Sequence, residues 1–177
     1  MTSTNNPVAR RLRGYWQMEA ANVLFVPAFA IGLVLWAGGT VSIALVVAAI
    51  ACSALLVIGA LYWRAVLRQM EGAPGVMAFW IPRLAAVEAL SLVLVAGAVA
   101  ANVVEFVQAG GGWTPARIGA VALTALAALE YVNYYRVQLQ HFDNWADFKR
   151  LITGRGLRQA HMARDIQAWR RRRRAAG

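Results

Sequence analysis

The sequence predicts an all-α integral membrane protein. Four transmembrane helices form two tandem parallel-repeat hairpins with both termini inside, followed by a basic amphipathic cytoplasmic helical tail. Three observations predict it. Hydrophobic residues fill 60% of the 177 positions, charged ones only 15%, and mean hydropathy is +0.51, whereas a soluble domain runs nearer 45–50% apolar and about 25% charged. The apolar excess is concentrated in four long runs almost free of charge. Net charge is +10, and residues 136–177 hold 11 of the 18 cations but only three of the eight acids. This pattern excludes a disordered chain and an ordinary water-soluble enzyme. A disulfide-stapled module is excluded as well, since Cys52 is the single cysteine.

The chain opens with a basic segment, 1–19, carrying Arg10, Arg11 and Arg13. A bundle over 20–137 follows, with spans at about 20–37, 41–63, 84–107 and 115–135. Each run has the length needed to cross about 30 Å of hydrocarbon. Buried helices of a soluble protein would need polar faces toward water, and these runs have none. The loops are short, so the Lys/Arg bias sets orientation. Arg10, Arg11, Arg13, Arg64, Arg68, Arg83 and the tail fall on one side. The other side offers only Arg117 and the neutral turns Gly38-Gly39-Thr40 and Gly110-Gly111-Gly112. The expected location is a bacterial inner membrane with both termini cytoplasmic. Aromatic belts fit these limits: Tyr15, Trp16, Tyr62, Trp63, Phe79, Trp80, Tyr131, Tyr134 and Tyr135 inside, Trp36 and Trp113 outside.

An internal repeat organises the spans. Shifted by about 72 residues, Tyr62-Trp63-Arg64 lies over Tyr134-Tyr135-Arg136; at a shift of about 69, Glu19 meets Glu88. Each hairpin therefore begins with a Glu about one turn inside the boundary and ends with an Arg at it. A carboxylate at that depth needs a partner or an internal cavity. The expectation is two pseudo-equivalent ion pairs, Glu19 with Arg64 and Glu88 with Arg136, the crosswise pairing remaining open. Glu130 has no counterpart, since Ile58 takes its place, and its nearest cationic candidates are Arg83 and Arg136. Glu19, Glu88 and Glu130 with Asn22 and Asn133 form either a structural clip or a polar cluster that binds a cation or relays protons.

Stripes of small residues offer close helix contacts: Ala120, Thr124 and Ala128 in span four, and Ala85, Ala89, Gly97 and Ala101 in span three. They serve the internal bundle or a second copy of the chain. Pro27 is a kink site in span one. In the tail (138–177), Trp145, Phe148, Leu151 and Ile152 share one arc of a helix suited to the headgroup region. A second helix, about 157–174, gathers Met162, Ile166 and Trp169 among arginines. The run Arg170-Arg171-Arg172-Arg173-Arg174 suits anionic lipid or a protein partner. Nucleic acid fits less well, because no nucleic-acid fold accompanies the run.

His141 and His161 are the only histidines and supply neither axial haem pairs within spans nor a metal-ligand pattern. No phosphate-binding glycine loop is present. No catalytic residue, cofactor or metal is implied. Two function classes remain: a non-enzymatic adaptor or accessory subunit acting through its basic tail, and an oligomeric ion- or proton-coupled transporter or channel component using Glu130 with Glu19 and Glu88.

Overall fold

A computed structural model describes residues 7–139 and 158–177. Among them are six helices: α1 (Pro7–Trp36), α2 (Ile43–Met70), α3 (Val76–Ala86), α4 (Glu88–Gln108), α5 (Pro115–Tyr135) and α6 (His161–Ala175). No strand occurs among the described residues. Helices α1, α2, α4 and α5 have the length and apolar composition of membrane spans, so the chain reads as a multi-pass membrane protein. Large apolar side chains such as Leu24, Phe25, Phe29, Leu90 and Val93 stand exposed on the bundle's outside. In water they would be a liability; against lipid they are in their own solvent.

Helix α2 is the hub, packing against α1, α5, α4 and α3. Its buried face runs through Ala44, Leu45, Ala48, Cys52, Leu55 and Gly59 to Tyr62, small residues alternating with larger ones so that helices approach closely. At one end of the bundle the helix starts are capped. Ser42 Oγ accepts from the Leu45 amide at 3.2 Å, and Thr114 Oγ1 from the Arg117 amide at 3.3 Å; Pro115 occupies the first turn of α5. The Glu105 carboxylate of α4 accepts from the Ala44 amide at 3.2 Å, capping α2 from a neighbouring helix. The turn 110–112 has three positive φ values, 66°, 81° and 86°, which only glycine adopts without strain. Buried Arg117 fastens it by donating to the carbonyls of Gly111 and Gly112.

At the other end, the tail end, the helices outrun the expected spans. Helix α1 begins at Pro7 rather than near Ala20, and α2 continues to Met70 rather than stopping at Trp63. The two extensions pack on each other through Ala9, Leu12 and Leu67, with Tyr15, Trp16, Trp63 and Val66 around them. Arg13 pairs with Glu71 at 2.7 Å. Hydropathy locates hydrocarbon, and a helix continues past it wherever its flank still finds a partner. The third expected span is also interrupted: the helix starts at Val76, contains Pro82 and is broken at Val87. Only the fourth span keeps its expected limits.

Pro27 lies inside α1. Its missing amide would leave the Val23 carbonyl unpaired, and Ser53 Oγ of α2 donates to that carbonyl at 2.9 Å. Four tyrosines expected in the interfacial belt are core residues instead: Tyr62, Tyr131, Tyr134 and Tyr135 are all buried. In the third span the expected small-residue stripe holds only at its ends: Ala85 is buried and Ala101 packs on the core, while Ala89 is exposed, Gly97 meets nothing within 4 Å, and Ser91, Val95 and Ala98 face inward between them. In α5, Ala120 and Thr124 face inward as expected, joined by Ala127. Asn102 of α4 donates to Thr124 Oγ1 at 2.9 Å and ties the two helices.

The tail returns to the bundle. Residues 136–138 pair antiparallel with 158–160, through Gln138 N to Arg158 O at 2.8 Å and Ala160 N to Arg136 O at 3.1 Å. That pairing seats α6 on the tail end, where Met162 and Ile166 are 1% and 2% exposed. The apolar side of this helix is thus spent on the protein rather than on headgroups. The earlier amphipathic arc, with Trp145, Phe148 and Ile152, lies outside the described residues.

Candidate functional site

Two acidic centres occupy the tail half of the bundle. The first is built on α1, α2 and α5. Glu19 lies about 25 Å below Trp36 along α1, at 1.5 Å per residue, and its side chain is buried. Tyr134 of α5 reaches it by crossing α2, and its hydroxyl donates to Glu19 Oε1 at 3.2 Å. The crossing depends on Gly59: a Cβ built there would overlap the hydroxyl end of the Tyr134 ring. Glu130 precedes Tyr134 by one turn on α5 and is half-buried. Its carboxylate accepts from Asn133 Nδ2 at 3.5 Å, and Asn133 Oδ1 accepts from the Leu139 amide at 3.0 Å. Beneath Tyr134 a cavity of about 30 Å³, lined also by Tyr62, Trp63, Asn133, Gln138, His161 and Met162, has room for about one water.

The second centre lies where α4 begins. Glu88 Oε1 accepts from Arg136 Nη1 at 2.7 Å and Glu88 Oε2 from Arg170 Nη2 at 2.9 Å. Arg136 Nη2 donates onward to the Tyr131 hydroxyl at 2.9 Å. The Glu88 hydrogen bond raises the Arg136 pKa above its already high range, so the cation persists at any physiological pH. The Arg136 and Arg170 side chains are 54% and 44% exposed, and the group sits at the edge of the bundle.

The structure brings together some of the expected residues and separates others. Glu88 and Arg136 meet. Glu19 and Arg64 do not: Arg64 is exposed, with its guanidinium 5.7 Å from the Trp16 ring centre, and Glu19 takes a phenol instead of a cation. The physical reason is depth. Because α1 starts early, Glu19 lies well inside a long helix rather than at a boundary that Arg64 could reach. Glu130 meets neither Arg83 nor Arg136. Arg83 donates to the Phe79 carbonyl at 2.6 Å and stacks on the Phe79 ring, while Arg136 is committed to Glu88. Asn22 is half-buried and makes no side-chain hydrogen bond among the described residues. Arg170 is an ion-pair partner; Arg171, Arg172, Arg173 and Arg174 are exposed on α6.

Residues that sequence reasoning passed over carry the first centre. Tyr134 was grouped with the belt aromatics, although its match to Tyr62 under the repeat pointed to a shared role. Both tyrosines are buried and each binds an acid: Tyr62 donates to Asp165 Oδ2 at 2.9 Å and so holds α6 in place. Gly59, a lone glycine late in the most apolar helix, was the available signal for a close approach. Chemically, one carboxyl group accepts from the phenol and a second lies one turn away on α5, with no ion pair to either among the described residues. That arrangement can accept a proton or a small cation. The second centre is neutralised in place by its arginines.

Comparison with known proteins gives no lead: no family model, curated protein or solved structure matches the chain.

Proposed function

We propose that the chain is a non-enzymatic adaptor or accessory subunit of a bacterial inner membrane. Four spans anchor it, and a rigid basic helix is offered at the cytoplasmic surface to anionic headgroups or a protein partner. The charge bias of the loops supports this orientation. The observation that carries the reading is the docking of α6. Tyr62 holds Asp165, Glu88 holds Arg170, and Met162 and Ile166 are buried, while the arginines at 171–174 face outward. A helix fixed in this way does not pay its ordering entropy again when a partner arrives. The test is a photo-crosslinking residue at position 171 in intact membranes. The expected result is a discrete protein adduct that disappears when Arg172 is changed to Gln. Adducts with lipid only assign the helix to headgroups; no adduct, or one indifferent to that change, overturns the adaptor reading.

A second reading is favoured by one observation, the buried Glu19 and Tyr134 with half-buried Glu130 nearby and no ion pair to either acid among the described residues. Here the protein is an oligomeric ion- or proton-coupled transporter or channel component. Glu130 is its central group and Glu19 its neighbour; Glu88, engaged with two arginines, drops out of the pathway. Proteoliposome flux abolished by Glu130→Gln supports this reading. Flux that survives the substitution, or no flux of protons or alkali cations in the unsubstituted protein, overturns it.

A further inference from the structure

Between α3 and α6 runs an open groove of about 710 Å³ with two chemically different walls. Pro82, Ala85 and Ala86 of α3 form an uncharged apolar wall. Trp169, Arg170, Arg173 and Arg174 of α6 form the other. The electrostatic balance of the groove is positive. Glu88, the acid at its end, is already shared between Arg136 and Arg170. No acid pairs with Arg173 or Arg174 among the described residues; Arg173 lies 5.8 Å from the Trp169 ring centre. The apolar wall ends beside Glu88, where α4, a helix long and apolar enough to cross a membrane, begins.

We propose that this groove binds one anionic phospholipid. The phosphate diester is held by Arg173 and Arg174 with Arg170 beside them, and an acyl chain lies along Pro82, Ala85 and Ala86. Trp169 fills the boundary between the two chemistries, where an amphipathic ring is at home. Charge alone would suit any anion near the surface. The apolar wall selects a lipid, because neither a free phosphate nor an acidic peptide uses it. This site rests on the reading above only in placing α6 at the membrane surface.

The full-length protein is reconstituted into nanodiscs of phosphatidylcholine with a minority of phosphatidylglycerol. It is then extracted into detergent, and the retained lipid is identified by mass spectrometry. Phosphatidylglycerol is expected to be enriched among the retained lipid. Arg173→Gln with Arg174→Gln should lower its retention about 30-fold, two surface cations being removed. Ala86→Trp, which fills the groove at an exposed position, should lower it comparably with every cation in place. Both variants should keep the unsubstituted melting temperature, since the altered side chains are exposed. Retained lipid that mirrors the bulk mixture, or retention unchanged in either variant, overturns the proposal. Displacement of the lipid by inorganic phosphate that Ala86→Trp also binds would make this a soluble-phosphate site. Poly-glutamate binding unaffected by Ala86→Trp, with no lipid retained, would make it a surface for acidic protein. The crosslink at position 171 reads protein contacts away from the groove, so the adaptor reading and the lipid site can fail separately.

Discussion

Glu19 and Glu88, 69 residues apart, each stand near the tail end of an apolar helix, yet they live by different physics. Glu88 lies at the bundle edge between two half-exposed arginines. Its interactions are ionic, shared with solvent and screened by salt. Glu19 is buried and answered by a single neutral donor, the Tyr134 hydroxyl, which reaches it only because α2 has no side chain at Gly59. The difference teaches that partner choice in this bundle follows depth and helix rotation rather than repeat position. Where arginine can keep water at its back it takes the acid; deeper in, a phenol does, because its ring is apolar and only its tip is polar.

Three substitutions break or sharpen that contrast. The largest effect is expected from Gly59→Val, which puts a branched side chain where the Tyr134 ring passes. A loss of about 3 kcal/mol is expected, read as a lower melting temperature in detergent and relieved when Tyr134→Ala is added. If Tyr134→Ala brings no relief, the crossing is not what Gly59 serves. Next comes Tyr134→Phe, which leaves the Glu19 carboxyl without its donor at a cost of about 1–3 kcal/mol. Adding Glu19→Leu should recover most of it, and a double-mutant cycle measures the coupling. Strict additivity would show that the bond contributes nothing. The smallest effect belongs to Glu88→Gln, at most about 1 kcal/mol. That loss should be visible in low salt and vanish in high salt, while the Tyr134→Phe loss stays the same in both.

The legible parts of the fold were those written in one dimension. The four apolar runs correspond to four membrane-length helices, and the fourth keeps its limits because a local cap, Thr114 with Pro115, starts α5 where the apolar run starts. The start of α1 and the end of α2 lie beyond the expected limits, since Leu12 and Leu67 pack on each other outside the apolar runs. Within the candidate site, the pairing of Glu88 with Arg136 followed from equal depth across neighbouring helices. The partner of Glu19 did not, because it lies on a third helix and reaches across a second. Ser53 was equally hidden: that it completes the Val23 carbonyl freed by Pro27 depends on how α1 and α2 are rotated against each other. The tail showed its charge in the sequence but not its docking. Met162 and Ile166 look the same whether their apolar side meets headgroups or protein.

What the sequence by itself determined is the solvent of each segment: hydrocarbon for the four runs, a charged surface for the arginines, and glycine where the backbone must turn left-handed. These are sums over neighbouring residues, and neighbours along the chain suffice to compute them. The tertiary structure alone decided which carboxylate takes an arginine and which a tyrosine, and that the last helix closes over the bundle. Those choices depend on the angle at which each helix presents its side chains to the others, and that angle belongs to the packed assembly rather than to any one segment.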